Sequence, residues 1–140
     1  GILQGERIVG REGPADLDAF ARVINVNLIG TFNMMRVTAN AMSRNGPSAT
    51  GERGVIINTA SVAAFEGQIG QVAYAATKAA LYSLTRSWAK ELGKHGIRVV
   101  GMAPGIIEST ALRNDETSCV ASSGNIARYA VGAVKQIVAR

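Results

Sequence analysis

The chain has 140 residues, of which 47% are hydrophobic and 18% are charged, and its net charge is +5. This length and composition predict at most one soluble globular domain, and they exclude a disordered chain or a membrane-spanning protein. The fifteen basic residues are scattered along the chain, which argues against a nucleic-acid partner. The single cysteine, Cys119, excludes an internal disulfide, and the single histidine, His95, argues against a metal site.

Two helices and two strands are predicted in alternation, from hydrophobic spacing and turn residues. Their predicted bounds are residues 16–43 (helix), 55–59 (strand), 72–94 (helix) and 97–102 (strand). A turn-rich loop covers residues 44–54, and Gly96 closes the second helix. The strand, helix, strand order predicts a right-handed parallel unit. Further along, apolar residues recur on one helical face of residues 127–138, which is typical of a packing helix.

Tyr74 and Lys78 form the most informative pair, because residues four apart on a helix leave the same face. A fixed ammonium favours the phenolate form of a neighbouring tyrosine, which can then exchange a proton with a hydroxyl or carbonyl group. This spacing is also common on solvated helices, so the pair alone indicates little. Together with its surroundings, it indicates a general acid/base.

Ser61 lies thirteen positions before Tyr74 and follows the predicted strand at 55–59. That strand reads as buried and parallel, and it ends in small polar residues. In open α/β sheets, ligands bind in the crevice at the carboxyl ends of the strands. The Ser61 hydroxyl is therefore a second candidate site group.

Four features now resemble the short-chain dehydrogenase/reductase family, and they occur in the order in which the family has them. They are Asn27 in the first predicted helix, Ser61 at a strand end, the Tyr74 and Lys78 pair, and Pro104-Gly105 after the last predicted strand. The resemblance implies an α/β fold. More closely, it implies the C-terminal half of a Rossmann-like doubly wound parallel sheet that lacks the N-terminal glycine-rich βαβ part.

The resemblance also implies a reaction, namely hydride transfer between a nicotinamide and a secondary alcohol or ketone. Tyr74 would exchange the proton of the substrate oxygen, and Ser61 would hydrogen-bond that oxygen as charge develops. Lys78 would favour the phenolate of Tyr74 and hydrogen-bond the nicotinamide ribose. Asn27 would position a water that relays protons to solvent.

The cofactor site implied by the resemblance is spread over three parts of the chain. It comprises Tyr74, Lys78, Pro104, Gly105, Ser109 and Thr110. Ser109 stands where relatives often carry a threonine that contacts the carboxamide, and Thr110 is adjacent, so either hydroxyl is a candidate. We expect NAD because both subfamilies named below use it. NADP is the alternative, since the residues that decide between them would lie upstream of Gly1.

Two subfamilies are resembled in different parts of the chain. From Gly5 to Gln71 the sequence is similar to the 3-hydroxyacyl-CoA (type 10 17β-hydroxysteroid) dehydrogenases. From Tyr74 to Arg113 it is more similar to the sorbitol-6-phosphate dehydrogenases. The expected substrate is a small alcohol or ketone of the hydroxyacyl-CoA or hydroxysteroid kind, and a sugar phosphate such as sorbitol 6-phosphate is the alternative.

A second class of function stays open beside the enzyme. By the resemblance, the glycine-rich phosphate turn would lie upstream of Gly1, and the family's substrate lid looks shortened within residues 114–140. Residues 1–140 are therefore interpreted as a partial catalytic domain. A non-catalytic fragment or interaction module is the alternative, because the predicted strands would leave an open apolar edge.

The expected partners follow from the same resemblance. It implies a homo-oligomer in which the Asn27 helix and the Tyr74 helix pack against a second subunit. No targeting segment is visible in the sequence. The expected compartment is the cytoplasm, with the mitochondrial matrix as the alternative.

Overall fold

The computed structural model describes residues 1–105 of the chain. The predictions for Ser109, for Thr110 and for residues 114–140 lie outside these residues. Within them, a helical run comes first, then a strand, a long helix and a second strand. This order and the element types agree with the prediction from the sequence.

The first helical run is continuous but contains a wider turn in its middle. It consists of α1 (Leu17–Ile24), a π-helical turn (Asn25–Ile29) and α2 (Gly30–Met42). Asp16 caps its start, since the Asp16 carboxylate accepts a hydrogen bond from the backbone N–H of Asp18. In the π turn the N–H of Gly30 donates to the carbonyl of Asn25, five residues earlier.

The two strands are β1 (Gly54–Thr59) and β2 (Ile97–Met102), and they pair in parallel. Their register sets Gly54 opposite Ile97 and Thr59 opposite Met102, so both strands end at the same level. The helix between them, α3 (Val72–Leu92), continues into a 3₁₀ turn (Gly93–His95) before β2 begins. The predicted parallel strand pair is therefore confirmed.

The hydrophobic core lies between α2, α3 and one face of this strand pair. It consists of the buried side chains of Met35, Ala39, Leu81, Trp88, Ile97 and Val99. Leu84 and Leu92 pack against this core, so the apolar side chains of α3 around Trp88 are largely internal. Met34 of α2 is 65% exposed, because the helix turns its neighbour Met35 inward.

The other face of β1 is open in the part of the chain that the structure describes. Successive side chains of a strand point to opposite faces, and in β1 Ile56 and Asn58 face α3 while Val55 and Ile57 face away. Val55 is 37% exposed and Ile57 is 59% exposed. An apolar sheet face of this kind is a surface that another polypeptide segment can cover.

Gly96 ends the 3₁₀ turn in a left-handed conformation, with φ of 69°. A Cβ atom there would lie 2.7 Å from the carbonyl oxygen of Gly51, which is backbone and cannot move freely. We predict that Gly96→Ala lowers the free energy of unfolding by about 2 kcal/mol, measured by urea denaturation. Gly46→Ala is the control, because no atom lies within 4 Å of the added Cβ at Gly46. Equal stabilities of the two variants would contradict this account of the turn.

Candidate active site

The carboxyl ends of β1 and β2 bring Ser61 beside Pro104. Two backbone hydrogen bonds extend the pairing past the strands, from Ala60 N–H to Met102 O at 2.7 Å and from Val62 N–H to Pro104 O at 3.0 Å. Ser61 lies between them. Its Oγ accepts a hydrogen bond from the backbone N–H of Ala63, which leaves the hydroxyl hydrogen of Ser61 available to donate.

Lys78 connects α3 to the carboxyl end of β1 through a hydrogen bond. Its Nζ donates a hydrogen bond of 2.7 Å to the carbonyl oxygen of Thr59, the last residue of β1. The same Nζ lies 5.5 Å from the ring centroid of Tyr74, one helical turn earlier. The two side chains therefore share a face of α3, as the spacing predicts. Burial lowers the pKa of Lys78 from its ordinary value of 10.5, because desolvation penalises the charged form.

Asn27 lies in the π turn, is 5% exposed and binds the start of the chain. Its Oδ1 accepts from the N–H of Ile2 at 2.7 Å, and its Nδ2 donates to the carbonyl of Ile2 at 2.8 Å. The Nδ2 also lies 3.4 Å from the hydroxyl of Thr77 on α3. The side chain thus joins three segments, while the water-positioning role predicted for Asn27 stays a prediction.

Two buried threonines of α3 were missed in the sequence. Thr77 and Thr85 are each 1% exposed, and they lie on the same inward face as Leu81 and Trp88. Thr85 accepts a hydrogen bond of 3.0 Å from the Nδ2 of Asn58 in β1. The signal was available, since spacings of four, four and three residues from Thr77 to Trp88 mark one helical face.

The remaining predicted site residues divide between described and undescribed parts of the chain. Pro104 and Gly105 lie just beyond β2, after Ala103, and are partly exposed. Ser109 and Thr110 lie beyond the described residues. Among residues 1–105, no group of three or more His, Cys, Asp or Glu side chains is arranged to hold a metal ion. None of the helices in this part of the chain is long and apolar enough to cross a bilayer.

Residues 7–119 match the short chain dehydrogenase family, and the chain belongs to that family. Over 96 residues it is 56% identical to 3-hydroxyacyl-CoA dehydrogenase type-2 of Rattus norvegicus, and this matched stretch is 69% of this chain and 37% of that protein. It is 52% identical over 98 residues to sorbitol-6-phosphate 2-dehydrogenase of Klebsiella pneumoniae, which covers 70% of this chain and 34% of that protein. The matched part is thus little more than a third of each of these relatives.

Solved structures of dehydrogenases have a fold similar to that of this chain. The 3-hydroxyacyl-CoA dehydrogenase type-2 from Mycobacterium avium superposes with a TM-score of 0.73 at 45% identity, covering 77% of this chain and 43% of its own. An NAD⁺-bound xylitol dehydrogenase superposes with a TM-score of 0.64 at 31% identity, and the match covers 79% of this chain and 39% of that one. Gluconate 5-dehydrogenase from Burkholderia cenocepacia J2315, in complex with NADP and tartrate, superposes with a TM-score of 0.65 at 31% identity. That match covers 78% of this chain and 39% of the other.

The lowered pKa of Lys78 predicts a pH dependence of stability. Between that pKa and 10.5, the unfolded chain binds more protons than the folded chain, so stability should rise with pH in this window. We predict that the free energy of unfolding of the unmodified chain, relative to Lys78→Met, increases as pH rises through the window. Urea denaturation at a series of pH values measures it.

Lys90→Met controls for the loss of one positive charge, because Lys90 is an exposed lysine of the same helix. For each variant, its free energy of unfolding is subtracted from that of the unmodified chain at every pH. The difference for Lys78→Met is then compared with the difference for Lys90→Met. A Lys78 difference that falls with pH throughout the window would contradict the assignment of a desolvated ammonium at this position.

Proposed function

We propose that this chain carries the catalytic groups of a nicotinamide-dependent oxidoreductase that acts on a secondary alcohol or ketone. The observation that carries the proposal is the position of the Lys78 ammonium, 2.7 Å from the carbonyl at the end of β1 and 5.5 Å from the Tyr74 ring centroid. A phenol beside a fixed cation, at the carboxyl edge of a parallel sheet, suits proton exchange with a bound oxygen. Family membership supports the same reaction.

Each group has a role in this proposal. Tyr74 gives a proton to the substrate oxygen during reduction and takes it back during oxidation. Ser61 donates its hydroxyl hydrogen to that oxygen and stabilises the developing negative charge. Lys78 holds positive charge beside the phenol, and Asn27 positions a water for proton exchange with solvent.

The residues fit a nicotinamide cofactor on two observations. The Lys78 ammonium has three N–H donors, and the one bound to Thr59 leaves others for a ribose hydroxyl. Among residues 1–105 the Tyr74 hydroxyl makes no hydrogen bond, which suits contact with a substrate oxygen. When bound, the nicotinamide supplies or accepts the hydride. Pro104 and Gly105 would pack beside the nicotinamide ring.

Two further hydroxyls are proposed for the carboxamide end of the cofactor, those of Ser109 and Thr110. NAD is the proposed cofactor and NADP the alternative, since family structures contain one or the other. The proposed substrate is of the hydroxyacyl-CoA or hydroxysteroid kind, supported by the 56% identity to a 3-hydroxyacyl-CoA dehydrogenase. A sugar phosphate is the second candidate, supported by the 52% identity to a sorbitol-6-phosphate dehydrogenase.

In this proposal residues 1–140 form part of a catalytic domain. The alternative function is that of a non-catalytic interaction module with an incomplete cofactor site. Within the part of the chain that the structure describes, Val55 and Ile57 form an exposed apolar sheet face, which favours it because such a face can bind another polypeptide. Turnover by the unmodified chain discriminates between the two.

Tyr74→Phe tests the acid/base assignment. We expect kcat to fall by at least about a hundredfold, because general acid–base catalysis typically contributes 10²–10⁴-fold. Nicotinamide absorbance measures the rate with NAD and either a 3-hydroxyacyl-CoA or sorbitol 6-phosphate. Tyr82→Phe is the matched control, since it removes a phenol hydroxyl from the same helix, two turns away. Substantial activity in Tyr74→Phe would refute the assignment, and an inactive unmodified chain would favour the interaction module.

A homo-oligomer through the first helical run, which carries Asn27, and through α3, which carries Tyr74, is also proposed. Several large apolar side chains of the first helical run point outward, among them Ile29 at 55% exposure and Val37 at 53%. Beside them runs a cleft between α2 and α3, where the rings of Phe32 and Trp88 lie 6.3 Å apart. Burying such side chains against a second copy is favourable.

Val37→Lys tests this interface by placing a charge among the exposed apolar side chains of the first helical run. We expect the variant to sediment as a smaller species than the unmodified chain in analytical ultracentrifugation, because a buried unpaired ammonium opposes association. Val9→Lys is the control, since Val9 is 78% exposed and lies outside both helices. If Val37→Lys keeps the size of the unmodified oligomer, this interface is wrong, and the same holds if the unmodified chain is a monomer.

A further inference from the structure

Thr77 makes two hydrogen bonds in the interior, and their directions are determined by chemistry. Its Oγ1 lies 2.7 Å from the carbonyl oxygen of Tyr74, which can only accept, so the hydroxyl donates its single hydrogen there. The second contact, 3.4 Å from the Nδ2 of Asn27, must therefore be one in which Thr77 accepts. Thr77 as a whole is 1% exposed, so bulk water does not compete for its hydroxyl.

The orientation of the Asn27 amide is determined in the same way. The N–H of Ile2 can only donate and the carbonyl of Ile2 can only accept, so Oδ1 faces the first and Nδ2 the second. One Nδ2 hydrogen goes to Ile2, and the other points toward Thr77. A directed series of hydrogen bonds thus runs from Asn27 through Thr77 to the backbone of Tyr74.

We propose that Thr77 is a positioning residue, which sets Asn27 relative to the Tyr74 and Lys78 turn of α3. The role rests on the proposed function, because it matters for turnover only if Asn27 and Tyr74 take part in the same proton transfer. Thr77 is the residue between these groups, three positions after Tyr74 and one before Lys78. Without its hydroxyl, the second Nδ2 hydrogen of Asn27 loses its partner in the interior.

Thr85 provides an internal comparison on the same helix. It is also 1% exposed, donates to a carbonyl one turn earlier (Leu81, 2.7 Å) and accepts from an asparagine Nδ2 (Asn58, 3.0 Å). Asn58 belongs to β1, whereas Asn27 belongs to the π turn. Removing the hydroxyl of Thr85 therefore makes the same chemical change at equal burial without touching Asn27.

The test compares Thr77→Val, Thr77→Ser and Thr85→Val by NMR hydrogen exchange. We expect Thr77→Val to speed exchange of the Asn27 side-chain amide and of the Ile2 backbone amide by roughly tenfold, as the loss of about one buried hydrogen bond implies. Thr77→Ser keeps the hydroxyl and should restore slow exchange. Thr85→Val should leave both signals as in the unmodified chain. If Thr77→Val does not fold, Thr77→Ala replaces it.

Kinetics supply the second readout. Positioning predicts that Thr77→Val lowers kcat by roughly tenfold with little change in KM, and that Thr77→Ser recovers it. Unchanged exchange at Asn27 in Thr77→Val overturns the inference, whatever the activity. Faster exchange with unchanged kcat overturns the positioning role and leaves Thr77 a structural residue. If the unmodified chain turns over no substrate, the proposed function fails. Hydrogen exchange then decides by itself whether Thr77 positions Asn27.

Discussion

The parallel pairing of β1 with β2 is the constraint on which the rest of the site depends. Because both strands end at the same level, the residues that follow them, Ser61 and Pro104, lie side by side. The helix between the strands must return along the sheet, and the hydrogen bond from Lys78 to Thr59 fastens it at the carboxyl edge. A shift of one residue in register would separate these groups and would turn the buried side chains outward.

The interior polar contacts add a second level of order. A hydrophobic core of Leu81, Trp88 and Ile97 holds α3 against the sheet, but apolar burial has no preferred direction. The hydrogen bonds of Thr77 and Thr85 are directional, and a buried polar group without a partner is costly. They connect α3 to the π turn at one end and to β1 at the other. The two kinds of contact together determine where Tyr74 stands.

Much of this could be predicted from the sequence, since the strands are apolar runs bounded by turns and the Tyr74 to Lys78 spacing is local. The π turn could not, because it is a change of hydrogen-bond partner with no residue signature. The pairing of Asn27 with Ile2 spans 25 residues and depends on the tertiary structure. Thr77 was overlooked because an isolated helical threonine reads as a solvated residue unless the inward face is traced.

We propose that residues 1–105 form the nicotinamide end of a dehydrogenase site and that Lys78 contacts the cofactor. Titration with NADH, followed by nicotinamide fluorescence, is the first test of this proposal. We expect saturable binding that Lys78→Ala loses and that Lys90→Ala, on the exposed side of the same helix, retains. The absence of binding, or equal binding by Lys78→Ala, would show that Lys78 is not a cofactor contact in this chain.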